Sequence, residues 1–393
     1  MTSFQEMTFS ELLSDAEVFV DGDWVESKDQ DPNGDVRLIQ LADIGDGFYI
    51  DKSSRFLNSE TAKRLKCTYL KEGDILVARM PDPLGRACIF PKSEMPCVTV
   101  VDVCIIRPNQ NKVDNRWLMH TINSPIMRQR INEYVTGTTR QRISRGNFSQ
   151  LKISVPPLSE QRRIASILDQ ADELRQKRQQ AIEKLDQLLQ ATFIDMFGDP
   201  VSNPKGWEKV EVGKVTTCIV PGRDKPKSFT GSIPWITTDD LNSLGYTSQS
   251  KKRMGLTQTE IDDVRAKVIP FQSVVMSCVG NLGITSIANN EFVMNQQLHS
   301  YQCLEQITPE FLMFCLPFEK NYMFSRATST TLPYMNKTVC NSVPVILPPI
   351  GLQEKWSKIL LSIEEHKQSL YKQLDMQNQL FSALQNQAFN GTL

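Results

Sequence analysis

The chain has 393 residues, enough for two or three domains, and its 40% hydrophobic content is that of a folded protein. A net charge of −1 at pH 7 argues against a polycation that coats nucleic acid. The N-terminus has no charged-then-apolar signal segment, and no apolar run reaches the about 18 residues of a membrane span. We therefore expect neither secretion nor insertion into a membrane.

The charge is distributed unevenly along the first 150 residues. Residues 1–51 carry thirteen acidic and two basic side chains, whereas residues 52–150 carry seventeen basic and eight acidic ones. An ordinary solvated surface explains this as well as a binding face does. The basic part ends in a loop-like stretch whose hydroxyl and guanidinium groups suit phosphate oxygens. We predict phosphate contacts there for Thr138, Thr139, Arg140, Arg142 and Arg145.

Short strand-like runs separated by Asp-Pro-Asn-Gly and Pro-Asp-Pro-Leu-Gly turns follow Trp24. The runs are residues 37–44, 74–80 and 99–106. The apolar spacing over Asn115–Tyr134 predicts one helix behind them. We interpret residues 1–157 as a compact α+β domain.

Residues 158–200 contain one long predicted helix. Neither Gly nor Pro occurs between Ser159, a plausible N-cap, and Phe197, and Gly198 ends the pattern. Such a helix forms a rod of roughly 58 Å, which we interpret as a spacer. Its apolar positions recur every four and three residues, as in a coiled coil: Ile164, Leu168, Ala171, Ile182, Leu185, Leu189 and Met196.

Two arginines interrupt this seam. Arg175 and Arg178 would weaken a purely apolar contact, and they suit either the fixing of register or a contact with a partner subunit. We predict the partner contact for both residues.

The second half of the chain repeats the first at an offset of 192 residues. The offset relates Gln161 to Gln353 and Phe197 to Phe389. One register holds over the whole element, which two unrelated core helices would not show. Residues 350–393 thus form a second spacer helix. Its ladder contains Trp356, Leu360, Ile363, Leu370, Leu374, Phe381, Leu384 and Ala388, with Lys367 and Gln377 as polar interruptions.

Residues 201–349 repeat the order of elements of the first domain. Strands are predicted at residues 233–241, 273–284 and 295–303, followed by a helix near residues 309–325. Thr138-Thr139 recur as Thr330-Thr331, so the predicted phosphate contacts extend to Thr330, Thr331 and Lys337. The framework is alike and the loops differ, which favours two readers of different targets.

The sequence offers no catalytic constellation. There is no phosphate-binding Gly-x-x-x-x-Gly-Lys-Ser/Thr loop, and the two Pro-Pro pairs lack the flanking residues of an amino-methyltransferase motif. The adjacent carboxylates Asp239-Asp240 and Asp262-Asp263 are better explained as solvated loop charge. Nine singly scattered cysteines and three histidines argue against a zinc site and fit a reducing cytoplasm. We predict no catalytic residue, metal or cofactor.

The chain resembles the DNA-specificity subunit of type I restriction-modification systems along essentially its whole length. The resemblance rests on IPWITTDDL, NQQLHSYQ, the helix starts PPLSEQRRIASILD and PPIGLQEKWSKIL, and the FGDP after the first long helix. It implies an α+β architecture of two repeated α/β target-recognition domains, separated by two long helices that form an antiparallel coiled coil. Rods of this length suit half-sites one DNA turn apart, roughly 34–36 Å.

The resemblance also implies a function. The chain would be a non-catalytic reader of the two halves of a split double-stranded DNA sequence in a bacterial or archaeal cytoplasm. Its helices would dock two adenine-N6 methyltransferase subunits, and restriction subunits would join that core. S-adenosylmethionine, ATP and Mg would be used by those partner subunits.

Base contacts are predicted on loop side chains of both domains: Arg79, Arg86, Asn281, Gln296 and Gln297. In the first half, we place Thr99-Val100-Val101 opposite Asn295-Gln296-Gln297, so an amide-based contact is not expected in both domains.

Two alternatives remain open. A two-lobed scaffold that grips another protein could have the same internal symmetry, although the Thr-Thr-Arg cluster beside a basic domain speaks against it. A fragment of a fused restriction enzyme would carry methyltransferase and nuclease blocks before Met1, and we do not expect them.

Overall fold

The computed structural model describes residues 4–137, 141–222, 224–328 and 331–393. The chain divides into two compact units, the first formed by Met1–Gln179 with Gln373–Leu393 and the second by Gln180–Lys372. Each unit holds one α+β domain and a part of both long helices.

In its described residues, the first domain has nine strands and five helices, followed by the long helix α6, which continues into the second unit. The strands are β1 (Gln5–Thr8), β2 (Val18–Asp21), β3 (Val36–Ile39), β4 (Phe56–Leu57), β5 (Ile75–Ala78), β6 (Ala87–Ile89), β7 (Cys97–Thr99), β8 (Val103–Arg107) and β9 (Lys152–Val155). The helices are α1 (Phe9–Leu12), α2 (Ser59–Arg64), α3 (Asn115–Ile122), α4 (Pro125–Glu133), α5 (Arg145–Gln150) and α6 (Leu158–Phe197).

The described residues of this domain form two sheets and one separate strand pair. The larger sheet has the order β2-β8-β5-β6, the smaller has the order β4-β3-β7, and β1 pairs with β9. The inner strands are apolar on both faces, and Ile75 and Ile106 share a core with Trp117 of α3. Ile164 and Leu168 of α6 belong to the same core, so the long helix begins as part of the domain.

The structure corrects two predicted elements of the first domain. The predicted strand over residues 99–106 is broken, because the chain leaves the small sheet after Thr99 and enters the large one at Val103. The predicted helix over residues 115–134 is two helices. The hydroxyl of Ser124 accepts from the Met127 amide at 3.2 Å and caps α4. Proline follows at the first helical position, where its missing N–H has no helical partner to lose.

The second unit contains strands β10 to β20 and helices α7 to α12. The strands are β10 (Glu208–Glu211), β11 (Thr216–Ile219), β12 (Ile233–Ile236), β13 (Tyr246–Thr247), β14 (Gly255–Leu256), β15 (Val268–Ile269), β16 (Val274–Ser277), β17 (Thr285–Ala288), β18 (Phe292–Met294), β19 (Leu298–Cys303) and β20 (Pro344–Leu347). The helices are α7 (Val212–Val215), α8 (Gln258–Asp263), α9 (Pro309–Cys315), α10 (Lys320–Arg326), α11 (Lys337–Asn341) and α12 (Ile350–Asn390).

The second domain repeats the plan of the first. Its sheets have the orders β11-β19-β16-β17-β13 and β14-β12-β18-β15, and β10 pairs with β20. The predicted helix near residues 309–325 is again divided, here by a 3₁₀ turn at Leu316–Glu319 between α9 and α10. The two-domain α+β plan with two long helices is confirmed.

The long helices α6 and α12 contain 40 and 41 residues and pack antiparallel within each unit. In the first unit, Arg175 of α6 contacts Asn378 of α12, and in the second unit Asp186 pairs with Lys367 at 2.7 Å. The predicted N-cap at Ser159 is wrong, since the helix already begins at Leu158.

Only some of the predicted apolar positions of α6 are fully buried. Ile164, Leu168, Ile182 and Leu189 are buried, whereas Ala171, Leu185 and Met196 are half-buried. Phe193 and Phe197 are fully buried although the ladder omitted them. They belong to an aromatic cluster with Phe311, Phe314 and Trp356 in which Phe193 meets the Trp356 ring edge-to-face at 5.2 Å. No helix in the described part of the chain is long and apolar enough to cross a membrane.

Candidate functional site

Each domain has a cleft beside the parallel strand pair of its smaller sheet. The first cleft, of about 1380 Å³, is bordered by the segments around Trp24, Gln40, Asp102 and Arg142. Trp24 is 71% exposed, and its indole Nε1 donates to the Glu26 carboxylate at 3.4 Å. An exposed indole on a cleft wall provides a flat surface for stacking.

The second cleft is smaller, about 460 Å³, and has aromatic and amide walls. Phe229 and the buried Trp235 pack against each other with ring centroids 5.8 Å apart. Lys252 and the Asn295–Gln297 segment line the cleft with them. Sequence reasoning missed these aromatic residues and Trp24. Trp24 stands in a polar stretch of the sequence, and this could have indicated an exposed binding residue.

The two clefts occupy equivalent places in their domains. In the first domain, parallel strands β3 and β7 end with Ile39 paired to Thr99. In the second, β12 and β18 end with Ile236 paired to Met294. In both domains, three residues then lead from the small sheet into the next strand of the large sheet, and these residues line the cleft.

Main-chain hydrogen bonds identify the equivalent residues. The Arg79 amide donates to the Asp102 carbonyl at 2.8 Å, and the Cys278 amide donates to the Gln297 carbonyl at 2.8 Å. Residues 295–297 therefore correspond to Val100-Val101-Asp102. The predicted correspondence with Thr99-Val100-Val101 was wrong by one residue, because the apolar run over 99–106 has no turn residue that marks its break. We call these two segments the cleft tripeptides.

The amide side chains of the second tripeptide support one another. The Asn295 side-chain Oδ1 accepts from the main-chain N–H of Gln297 at 3.1 Å, and the Asn295 Nδ2 donates to the Gln297 Oε1 at 3.1 Å. The Thr238 hydroxyl donates to the same Oε1 at 3.4 Å. Gln296 is exposed and donates to the Gly222 carbonyl at 3.3 Å. Gln296 and Gln297, which are predicted to contact bases, thus lie in a cleft and are exposed. Hydrogen bonds to neighbouring residues hold both side chains.

Arg79 and Arg86, also predicted to contact bases, are buried. Arg79 is 8% exposed, lies 3.1 Å from Asp21, and donates to the Val101 carbonyl at 2.6 Å. It also donates to the Ile143 carbonyl at 3.1 Å, and so it joins the tripeptide to the loop that carries Arg142. Arg79 also lines the first cleft, where these hydrogen bonds hold its main-chain segments in place, and its base contact stays a prediction.

Arg86 belongs to the framework. It is 7% exposed and donates to the main-chain carbonyls of Ile44, Leu41, Met80 and Pro83 at 2.6–3.1 Å. Burial lowers the pKa of its guanidinium. A base contact would require these bonds to open, so this environment argues against the predicted DNA role. Sequence alone does not separate a buried, satisfied arginine from a solvated one.

The residues predicted to contact phosphates are described only in part. Thr138, Thr139, Arg140 and Thr330 lie outside the described residues, whereas Thr331 is exposed. Arg142 is exposed and lines the first cleft. Arg145 and Lys337 are 192 residues apart, and each is the first residue of a short helix, α5 or α11.

Their environments differ. Arg145 lies 3.5 Å from Asp21, donates to the Phe19 carbonyl at 3.0 Å and stacks over the Phe19 ring. Lys337 is exposed beside its cap Asn336. A full positive charge is therefore more accessible at Lys337 than at Arg145.

The remaining predicted site residues lie away from the clefts. Asn281 is exposed on the β16–β17 loop, where its side chain accepts from Lys320 at 2.8 Å. Arg175 donates to Asn378 at 2.8 Å and lies 4.4 Å over the Phe381 ring. Arg178 is half-buried. Arg175 thus joins the two helices within the first unit, and contacts of Arg175 and Arg178 with a partner subunit stay predictions.

A buried thiol pair lies behind the second tripeptide. The neighbouring Cys340 and His299 side chains hold the pKa of the Cys278 thiol below its usual range despite its burial. All three side chains are buried. Among the described residues, no group of three or more His, Cys, Asp or Glu side chains is arranged to hold a metal ion.

Comparison with known proteins identifies relatives over most of the chain. Residues 10–184 and 204–377 match the family model described as type I restriction modification DNA specificity domain. The chain is 21% identical over 391 residues to the type I restriction enzyme MjaIX specificity subunit of Methanocaldococcus jannaschii, covering 89% of this chain and 85% of that protein.

Solved structures show the same fold. The type I restriction-modification system S subunit from M. genitalium superposes with a TM-score of 0.59 at 14% identity, covering 99% of this chain and 96% of that one. A chain from a structure of type I R-M complex assembly and conformational transition gives 0.55 at 18% identity, covering 100% of this chain and 98% of that one.

Proposed function

Because the chain belongs to the type I restriction modification DNA specificity domain family, we propose that it is the subunit that reads the DNA target of a type I restriction-modification complex. Each domain reads one half of a split duplex sequence through its cleft. The chain itself does no chemistry, and S-adenosylmethionine, ATP and Mg belong to the partner subunits.

The observation that carries this proposal is the pair of equivalent clefts with unlike linings. Their main-chain framework is the same, including the hydrogen bond from the residue after β5 or β16 to the last residue of the tripeptide. Their side chains differ, with two valines and an aspartate in one and three amides in the other. A shared framework with different polar edges is what two readers of different base sequences require.

The long helices are the proposed docking surface for two methyltransferase subunits. Their inward faces pack on each other within each unit, whereas large apolar side chains remain exposed on their outer faces. These are Leu174, Leu188, Leu361, Met376 and Leu380, all 44–59% exposed. Such apolar surface on a long helix suits burial against a partner. Restriction subunits would join the assembled core.

Sequencing of methylated sites tests the proposal. The chain is co-expressed with its methyltransferase subunits, and the methylated adenines of the host DNA are mapped. We expect one split motif with two defined halves and an undefined gap. A complex that assembles but methylates without sequence preference would overturn the reading function and favour the protein scaffold.

A further inference from the structure

The last residue of each cleft tripeptide has the same main-chain position and the opposite hydrogen-bonding capacity. Asp102 and Gln297 each accept a 2.8 Å hydrogen bond at the main-chain carbonyl from the residue that follows the neighbouring strand. Asp102 is half-buried, Gln297 is exposed, and both segments line their cleft. The two domains thus carry different side chains at one equivalent main-chain position.

Asp102 offers only acceptors. An ionised carboxylate has two oxygens that accept hydrogen bonds and no proton to donate. Asp102 lines the first cleft, and no described side chain forms a hydrogen bond or ion pair with its carboxylate. Arg79 donates to the main-chain carbonyls of Val101 and of Asp102 itself, and not to the Asp102 side chain.

Gln297 offers a donor. Its Oε1 already accepts from Asn295 at 3.1 Å and from Thr238 at 3.4 Å, which uses both lone pairs of a carbonyl oxygen. These two contacts also fix which end of the amide carries the oxygen. The Nε2 has no hydrogen-bond partner among the described residues, so its two N–H groups are the available polar atoms.

We propose that Asp102 and Gln297 are specificity-determining residues that read one base each in opposite hydrogen-bond sense. This inference rests on the proposed DNA-reading function. In the major groove, cytosine presents only an amino donor, guanine and thymine present only acceptors, and adenine presents both. Asp102 therefore selects cytosine or adenine in the first half-site. Gln297 selects guanine, thymine or adenine in the second and rejects cytosine.

Two nearly isosteric substitutions test the inference in the assembled methyltransferase complex. Asp102→Asn adds a donor, so guanine or thymine becomes acceptable at one position of the first half-site. Gln297→Glu removes the donor, so one position of the second half-site changes toward cytosine or adenine. Loss of a good base contact corresponds to about 10-fold in discrimination. Glu94→Gln and Gln249→Glu change exposed side chains that do not line either cleft, and they are the matched controls.

Methylated-site sequencing with all four variants separates the outcomes. We expect each cleft variant to change one base position in its own half-site, with the other half and the controls unchanged. A split wild-type motif that neither cleft variant alters would overturn the inference and leave the proposed function standing. A folded cleft variant that methylates no site would also overturn it, since the position would then be essential and not selective. A wild-type complex without any motif would instead refute the proposed function.

Discussion

Gln161 and Gln353, 192 residues apart, make the same three hydrogen bonds at the start of the two long helices. Gln161 accepts from the Asp114 amide at 2.9 Å and donates to the carbonyls of Lys112 and Pro156. Gln353 accepts from the Thr308 amide at 2.9 Å and donates to two carbonyls in the same way. Asp114 and Thr308 cap α3 and α9, so each glutamine fastens its long helix to the domain's own helix.

Replacing either glutamine by leucine should destabilise its unit. Both side chains are buried, and leucine leaves three main-chain groups without partners. We expect Gln161→Leu and Gln353→Leu each to lower the free energy of unfolding by about 3 kcal/mol. Urea unfolding followed by tryptophan fluorescence measures this. Gln170→Leu, at an exposed position of α6, is the control and should have little effect. Equal stability of Gln161→Leu and the control would contradict the fastening role.

Arg86 should contribute to folding and not to base recognition. Its guanidinium donates to four main-chain carbonyls, and Arg86→Met would remove all four hydrogen bonds. The Leu41 and Pro83 carbonyls would keep a main-chain donor, whereas those of Ile44 and Met80 would lose the arginine without such a replacement. We expect a loss of about 3 kcal/mol in the free energy of unfolding and an unchanged recognised sequence in the complexes that fold. A stable Arg86→Met protein with an altered motif would restore the base-contact prediction.

Arg142 and Lys337 should contact phosphates. Both are exposed and near the domain ends. Arg142→Ala or Lys337→Ala should weaken binding to all duplexes about equally and lower the slope of log affinity against log salt by about one unit. Binding measured between low and moderate salt on cognate and random DNA checks this. Lys92→Ala, another exposed lysine, should leave the slope unchanged. A change of preferred sequence would instead identify a base contact.

Phe193 should contribute more to the stability of the packed long helices than Leu185 and Leu374, which belong to the predicted apolar ladder. Phe193 is fully buried against Phe311 and Trp356, whereas both leucines are half-buried. Phe193→Ala should lower the free energy of unfolding of the second unit by about 3–5 kcal/mol. Ile194→Ala, its exposed neighbour, should cost less than about 1 kcal/mol. Similar costs at the two positions would show that the aromatic cluster does not hold the helices.

Periodicity and repetition predicted the architecture well because both depend on local sequence. The ends of α6 follow from proline and glycine, and Gln161 and Gln353 reveal the shared register. Periodicity did not predict the end of an element where the apolar pattern continues across it into the next element. The pattern over residues 115–134 continues on one face through Ser124, where the helix ends and a new one is capped. The run over residues 99–106 crosses from one sheet to another.

The clefts were harder to predict than the framework. Asp102 and Gln297 become equivalent only through the strand pairing, since insertions shift the sequence offset between the copies. Arg79 and Arg86 resemble solvated binding residues in sequence. Their burial depends on carbonyl groups supplied by distant segments such as Ile44 and Ile143.

Exchange of one domain tests whether each domain reads its own half of the DNA target. Residues 20–150 are replaced by the matching segment of another specificity subunit, the chimaera is assembled with its methyltransferase subunits, and the methylated sites are sequenced. We expect one half of the motif to change to that of the donor while the other half and the gap stay the same. A motif that changes in both halves, or in neither, would contradict the claim that each domain reads its own half independently.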